Sequence, residues 1–403
     1  MRTRRPISID AAGATLRRRI RQHLRSLGYT RNNEGTLVAP AVDKEGYRAV
    51  HETQRLERLE RRRDLIERAP REFLPCFADG PEIIPGRIDP ELRPIVAQTW
   101  ESALFRFASL LWRVPVSDGF GRRMRFLVWD RGNDRLMGLL ALGDPVFNLR
   151  ARDGLIGWSS AERGERLVNV LDAYVVGAVP PYNALLAGKL IACLLKTQDI
   201  VSAFRRKYGA GIGEISGRSK RPRLLLVTTT SALGRSSIYN RLRIDGEQYL
   251  ESIGFTTGYG HFHIHDELFQ QIRAYLRRRR DPYADNNRFG QGPSWRFRAI
   301  RQGLASLGMP RGLTQHGFPR EVFVCRTAKN GVEILARGTG RPDFGSLKKV
   351  EEVGRLAVNR WVIPRASRDL NYLTWRRHQI LGVIDTELEK GGRGECGGHA
   401  AGS

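Results

Sequence analysis

Leu139-Leu140-Ala141-Leu142-Gly143-Asp144-Pro145-Val146-Phe147-Asn148-Leu149-Arg150, followed later by Leu171-Asp172-Ala173-Tyr174-Val175-Val176-Gly177-Ala178-Val179-Pro180-Pro181-Tyr182-Asn183, decides the fold. Each run is continuously apolar and stops abruptly in Gly, Pro and polar residues, as a buried strand does when it delivers side chains to one end of a sheet. Working outward, Met124–Asp130, a turn at Arg131–Asp134 and Arg135–Leu142 read as a β-hairpin. Further strands are expected near Leu155–Trp158, over Arg223–Thr230 and within Gly254–Ile264. Helices are expected at 8–27, where Leu16, Ile20, Leu24 and Leu27 recur at helical spacing, and over the highly charged stretch Asp43–Phe73. Others fall at Thr99–Trp112, Ala184–Leu195, Val201–Tyr208 and Gly234–Leu242. The fold class is α/β, of the α+β kind: a mixed-sheet core with a helical N-terminal region and a small mixed C-terminal segment. The expected division is a helical region at 1–90, the α/β core at 99–276, a basic linker at 277–293, a C-terminal α/β segment at 294–390, and a disordered Gly-rich tail at 391–403.

The 403 residues carry 68 Lys+Arg against 42 Asp+Glu, a net charge of +26. An excess of arginine on this scale is the electrostatic footprint of a phosphate-rich partner, and DNA is the expected one. The run Arg277-Arg278-Arg279-Arg280 is the expected contact. No apolar stretch is long enough for a membrane span and the N-terminus lacks a secretory apolar region, so a cytoplasmic protein with no membrane partner is expected. The four cysteines show no metal-ligand spacing.

With Leu233-Gly234-Arg235-Ser236-Ser237-Ile238-Tyr239-Asn240-Arg241-Leu242, the two opening runs resemble the DruA family of Druantia anti-phage systems, from about Arg123 to about Arg368. The resemblance implies a place in phage defence or on a mobile element. It also implies a helicase-like partner protein, because this chain has no Gly-x-x-x-x-Gly-Lys-Ser/Thr loop and so no motor of its own. The order of elements further resembles a GNAT-like acyltransferase core. That likeness implies a strand that splays after its turn and a helix N-terminus that faces the pyrophosphate of acyl-CoA. The turn here is Val179–Asn183, with Tyr182, Asn183, Gly188 and Lys189 as ligand candidates. Leu186 stands where that likeness asks for glycine, which counts against acyl-CoA.

Asp172 lies inside an apolar run, where a charged group needs a partner. With Asp144 and Asp153 it could hold a divalent metal, as in a metal-dependent nuclease or recombinase. Tyr239, mid-helix by the GNAT-like reading, is the residue expected to donate a proton. Asp172, Tyr239 and Asp144 are therefore the catalytic candidates. Arg235, Ser236, Ser237, Asn240 and Arg241, together with Asn148, are the remaining phosphate or ligand candidates. His261, His263 and His265 alternate, which on a strand places three imidazoles on one face beside Asp266.

Overall fold

Both apolar runs form strands, and the two are neighbours. The computed structural model describes residues 9–32, 37–38, 43–114, 116, 121–212, 219–261, 263–285 and 295–386. The second half of the expected linker and the Gly-rich tail lie outside them. Seven strands make the central sheet: β1 (Pro90–Pro94), β2 (Arg123–Asp130), β3 (Arg135–Gly143), β4 (Val170–Ala178), β5 (Leu226–Thr230), β6 (Glu251–Phe255) and β7 (Glu321–Arg326). They are ordered β6-β7-β5-β4-β3-β2-β1. Every neighbouring pair is antiparallel except β4 and β5, which run parallel. The fold is thus a mixed α/β one, as the sequence reading expects. The strand of the C-terminal segment, β7, lies inside this sheet between β6 and β5, so that segment completes the core.

Twelve helices are needed to place the site: α1 (Ala11–Ser26), α2 (Lys44–Glu60), α3 (Arg63–Glu72), α4 (Trp100–Ala108), α5 (Arg150–Ile156), α6 (Ser160–Arg166), α7 (Ala187–Cys193), α8 (Gln198–Tyr208), α9 (Asp266–Arg278), α10 (Trp295–Ser306), α11 (Gly331–Arg337) and α12 (Val350–Ala357). The central run of β3 lacks alternation because helices cover the sheet on both sides. Leu140 and Leu142 join Leu171, Leu190, Ile191 and Val353 in one core. Leu139 and Ala141 face the other way, among Phe73, Leu104, Phe107 and Val175. Gly138 is required by this packing: a Cβ there would stand 2.3 Å from Ile191 Cδ1 and 2.4 Å from the Gly177 carbonyl oxygen. A third core, built by α1, α9 and α10, includes Leu16, Ile20, Leu24, Ile272, Tyr275 and Ile300.

Four local expectations differ from the structure. Leu155–Trp158 is no strand, because α5 ends there. The Asp153 carboxylate accepts from the Leu149 N–H (2.9 Å) at the start of α5, and Gly157, left-handed at φ 75°, ends it. Asp43–Phe73 is two helices, α2 and α3, with Arg62 between them at φ −120°. Gly234–Leu242 forms turns rather than a helix. Gly234 (φ 75°) and Arg241 (φ 58°) are left-handed near its two ends. Between them, Ser236 Oγ accepts from Tyr239 N–H (3.1 Å) and Asn240 Nδ2 donates to the Ser236 carbonyl (2.6 Å), local bonds that compete with a helical ladder. Finally, His261–His265 is a turn leading into α9, in which Ile264 N–H donates to the His261 carbonyl.

Candidate functional site

β4 and β5 pair over only three rungs, Val170 with Leu226, Leu171 with Val227, and Asp172 with Thr228. Beyond Asp172 the parallel strands share no ladder and diverge. In α/β sheets, the crevice outside the carboxyl ends of such strands is where ligands settle. Asp172 therefore stands at the last rung before the opening.

Its surroundings follow from the alternation of side chains. Asp172 and Thr228 point to one face, and Thr228 Oγ1 donates to Asp172 Oδ1 at 2.7 Å. Among the described residues, no cation pairs with Asp172 within salt-bridge distance. Burial pushes its carboxyl up to about 6, against the opposing pull of Thr228, Arg152 and Arg123. Thr229, on the other face, donates to the Ala173 carbonyl at 2.8 Å and so stitches the start of the divergence. The Tyr239 hydroxyl lies at the Thr229 side chain, with its ring edge-on to Phe323 at 5.4 Å between centroids. Burial, partly offset by the Thr229 contact, pushes the phenol up to about 12, and the Asp172 charge adds to that rise. Asp172 and Tyr239, far apart in the chain, thus lie at the same end of the parallel pair but on opposite faces of the sheet.

The other carboxylates do not gather there. Asp144 is held by Arg122, through Nε at 2.7 Å and the backbone N–H at 2.8 Å. Asp153 accepts from Arg152 Nη2 (2.7 Å), Arg163 Nη1 (3.0 Å) and Trp158 Nε1 (3.0 Å), and ties the loop before α5 to α6. Arg152 itself is fully buried. The three histidines also diverge. His263 Nε2 meets the Leu313 carbonyl (2.7 Å), His265 Nδ1 lies 3.3 Å from Glu57, and the His261 ring packs on Phe297. Asp266 pairs with Arg61 and Arg296. Among the described residues no three His, Cys, Asp or Glu side chains are placed to hold a metal ion.

The turn after β4 and the loop after β5 come together. Tyr182 is fully buried and its hydroxyl donates to Asp130 Oδ2 (2.8 Å), so it supports the fold from within. Asn183 and Asn148 are exposed. Leu186 adopts the left-handed φ of 59° at the start of α7. Gly188 lies under the later loop, with Ile238 Cδ1 3.5 Å from where a Cβ would stand. Lys189 Nζ reaches the Asn240 carbonyl at 3.5 Å. The position that would face a pyrophosphate is thereby covered by Ile238 and Asn240.

Arg235 and Arg241 are exposed, and neither makes a side-chain hydrogen bond or ion pair among the described residues. Ser237 is exposed, while Ser236 N–H and Asn240 Nδ2 turn toward Glu321 Oε2 at 3.4 and 3.5 Å. These two groups cap a buried carboxylate that the sequence reading passed over. Its only signal was an acid opening an otherwise apolar strand.

Of the basic run, Arg277 and Arg278 are the last turn of α9. Arg277 is neutralised by Asp285 at 2.6 Å, and the guanidiniums of Arg278 and Arg279 stand 5.9 and 5.7 Å from the Tyr275 ring. Arg280 is exposed at φ 53°. A second basic element escaped the sequence reading: α1 has arginines at 17, 18, 19, 21 and 25 and no acid. Leu16, Ile20 and Leu24 bury its other face, and Arg18, Arg19 and Arg25 are exposed with no carboxylate partner among the described residues. Elsewhere the chain does pair its helical arginines, as in Arg63–Glu60 and Arg68–Glu72.

Among the described residues no helix is long and apolar enough to cross a membrane. No solved structure matches the chain. It is 48% identical over 384 residues, 95% of each chain, to the Druantia protein DruA of Escherichia coli (strain UMEA 4076-1). The family model described as Druantia protein DruA matches residues 41–337, and the chain belongs to that family.

Proposed function

We propose that this chain is a DNA-engaging component of a Druantia anti-phage system, and that Asp172 is its proton-transferring residue. One observation carries the reading. Asp172 is a strand carboxyl with no cation within salt-bridge distance among the described residues, held by one hydroxyl at the mouth of the diverging pair, with burial pushing its pKa up to about 6. A carboxyl poised near physiological pH can take a proton from a reacting group and return it. Tyr239, at Thr229 on the opposite face, is a separate candidate whose hydroxyl is tested independently. The net charge of +26 and the exposed Arg18, Arg19 and Arg25 of α1 support DNA as the polymer that brings the substrate. A helicase-like protein of the same system would supply the motor that this chain lacks.

The test is plaque formation on cells carrying the complete defence system, with Asp172→Asn, Tyr239→Phe and the unchanged chain in parallel. Loss of protection by Asp172→Asn, at unchanged protein level and DNA affinity, supports the reading. Full protection by that variant contradicts it.

A second reading is favoured by one feature. The strand order, with a single parallel pair that opens after Asp172, is what a GNAT-like core would have, and Asp172 and Tyr239 would then serve acyl transfer. The loop seated on Gly188 and Lys189 weighs against acyl-CoA. Titration with acetyl-CoA decides between them: saturable binding favours the acyltransferase.

A further inference from the structure

The end of the sheet where β5 and β6 finish and β7 begins carries a cleft of about 470 Å³ lined by Arg235, Asn240, Arg241, Phe255 and Glu321. Glu321 is 7% exposed, and among the described residues its carboxylate accepts only from neutral donors, Ser252 Oγ at 2.8 Å and the weaker Asn240 and Ser236 contacts. Phe255 is a large aromatic left 42% exposed beside it. Arg235 and Arg241 flank the cleft without carboxylate partners among the described residues. Lys189, whose pKa is lowered by burial and then by the nearby Arg241, adds a third positive charge. Three cations around a single carboxylate, none of them paired to it, leave the cleft with an excess of positive charge, and Arg241 also adopts the left-handed φ of 58°, unfavourable for a side-chain-bearing residue.

We infer that this cleft binds one nucleotide of single-stranded DNA, with its phosphate on Arg235 and Arg241, its base against Phe255, and an amino-bearing base edge toward Glu321. Each part has a physical reason. Arginine forks match phosphate oxygens, an exposed ring supplies a stacking face, and a carboxylate accepts from an exocyclic amino group such as that of cytosine. Thymine offers no such amino group. The inference rests on the reading of the chain as a DNA-engaging protein and adds which polymer form it holds and where. The cleft lies on the outer side of the loop whose Tyr239 points inward.

The experiment uses the full chain and short fluorescent oligo-dC and oligo-dT, with binding measured across a salt series and melting temperature as the control for folding. The unchanged chain should prefer oligo-dC by about fivefold. Arg235→Ala with Arg241→Ala should flatten the slope of log affinity against log salt by about 0.7, one single-strand phosphate's worth. Phe255→Ala should weaken both oligonucleotides about fivefold or more. An unchanged slope in the arginine variant, an unaffected Phe255→Ala, or equal affinity for the two oligonucleotides overturns the cleft while leaving the DNA reading in place. Failure of the unchanged chain to bind any DNA overturns both.

Discussion

Asp172→Asn should separate function from stability. The Thr228 hydroxyl that donates to Asp172 Oδ1 at 2.7 Å can donate equally to an asparagine oxygen, so the substitution keeps the shape and the bond and removes the charge. Burial raises the Asp172 pKa from 3.8 to about 6. The folded chain therefore holds a proton between about pH 4 and pH 6 that the unfolded chain has released. Stability falls as pH rises through that window, and the cost is complete above it. A rise from 3.8 to about 6 corresponds to about 3 kcal/mol, and solvent at the open side of the carboxyl screens part of this, leaving about 1–2 kcal/mol. For a chain of 403 residues that is about 1–2 °C in melting temperature. The assay is thermal melting of both proteins at about pH 7.5 and about pH 4, beside the plaque test. The variant should melt higher than the unchanged chain at neutral pH, match it at about pH 4, and give no protection. A variant that melts lower at both pH values would refute the reasoning and make Asp172 a structural residue.

Three further outcomes are expected. Tyr239→Phe loses a hydroxyl at Thr229 but keeps the ring on Phe323, so it should lower stability by no more than about 1 kcal/mol in a denaturant titration while protection falls. Asp153→Ala leaves the buried Arg152 without its carboxylate and should destabilise by about 3–5 kcal/mol, read as a lower denaturation midpoint. Arg18→Ala with Arg19→Ala and Arg25→Ala should flatten the salt dependence of duplex binding by about three, whereas Arg277→Ala, already paired to Asp285, should leave it nearly unchanged.

The sheet was legible wherever an element announced itself by a continuous apolar run. The stretches Leu139–Leu142 and Leu171–Ala178 fall on β3 and β4, because burial on both faces leaves only one kind of residue able to serve. Asp172 stood out for the same reason, as a charge inside such a run. What escaped was everything set by long-range placement. No periodicity in Glu321–Arg326 says that the strand inserts between β5 and β6, and nothing local to Thr228 or Thr229 says that the first meets Asp172 on one face and the second Tyr239 on the other. The loop 234–242 has the spacing of a helix, but Ser236 and Asn240 bond to its backbone instead. The alternating histidines read as one strand face, yet the chain turns at His261 and sends each ring to a different partner. The acid-free arginines of α1 were visible in the sequence; their lack of partners is a property of the folded surface.

The measurement that bears most directly on the central claim is equilibrium binding of the full chain to single-stranded and duplex DNA across a salt series, with Asp172→Asn alongside. The account predicts that both proteins bind with the same affinity and a log–log salt slope of several units, as expected when many phosphates are contacted, while only the unchanged chain protects cells. Binding that is absent, or that ignores salt, would contradict it.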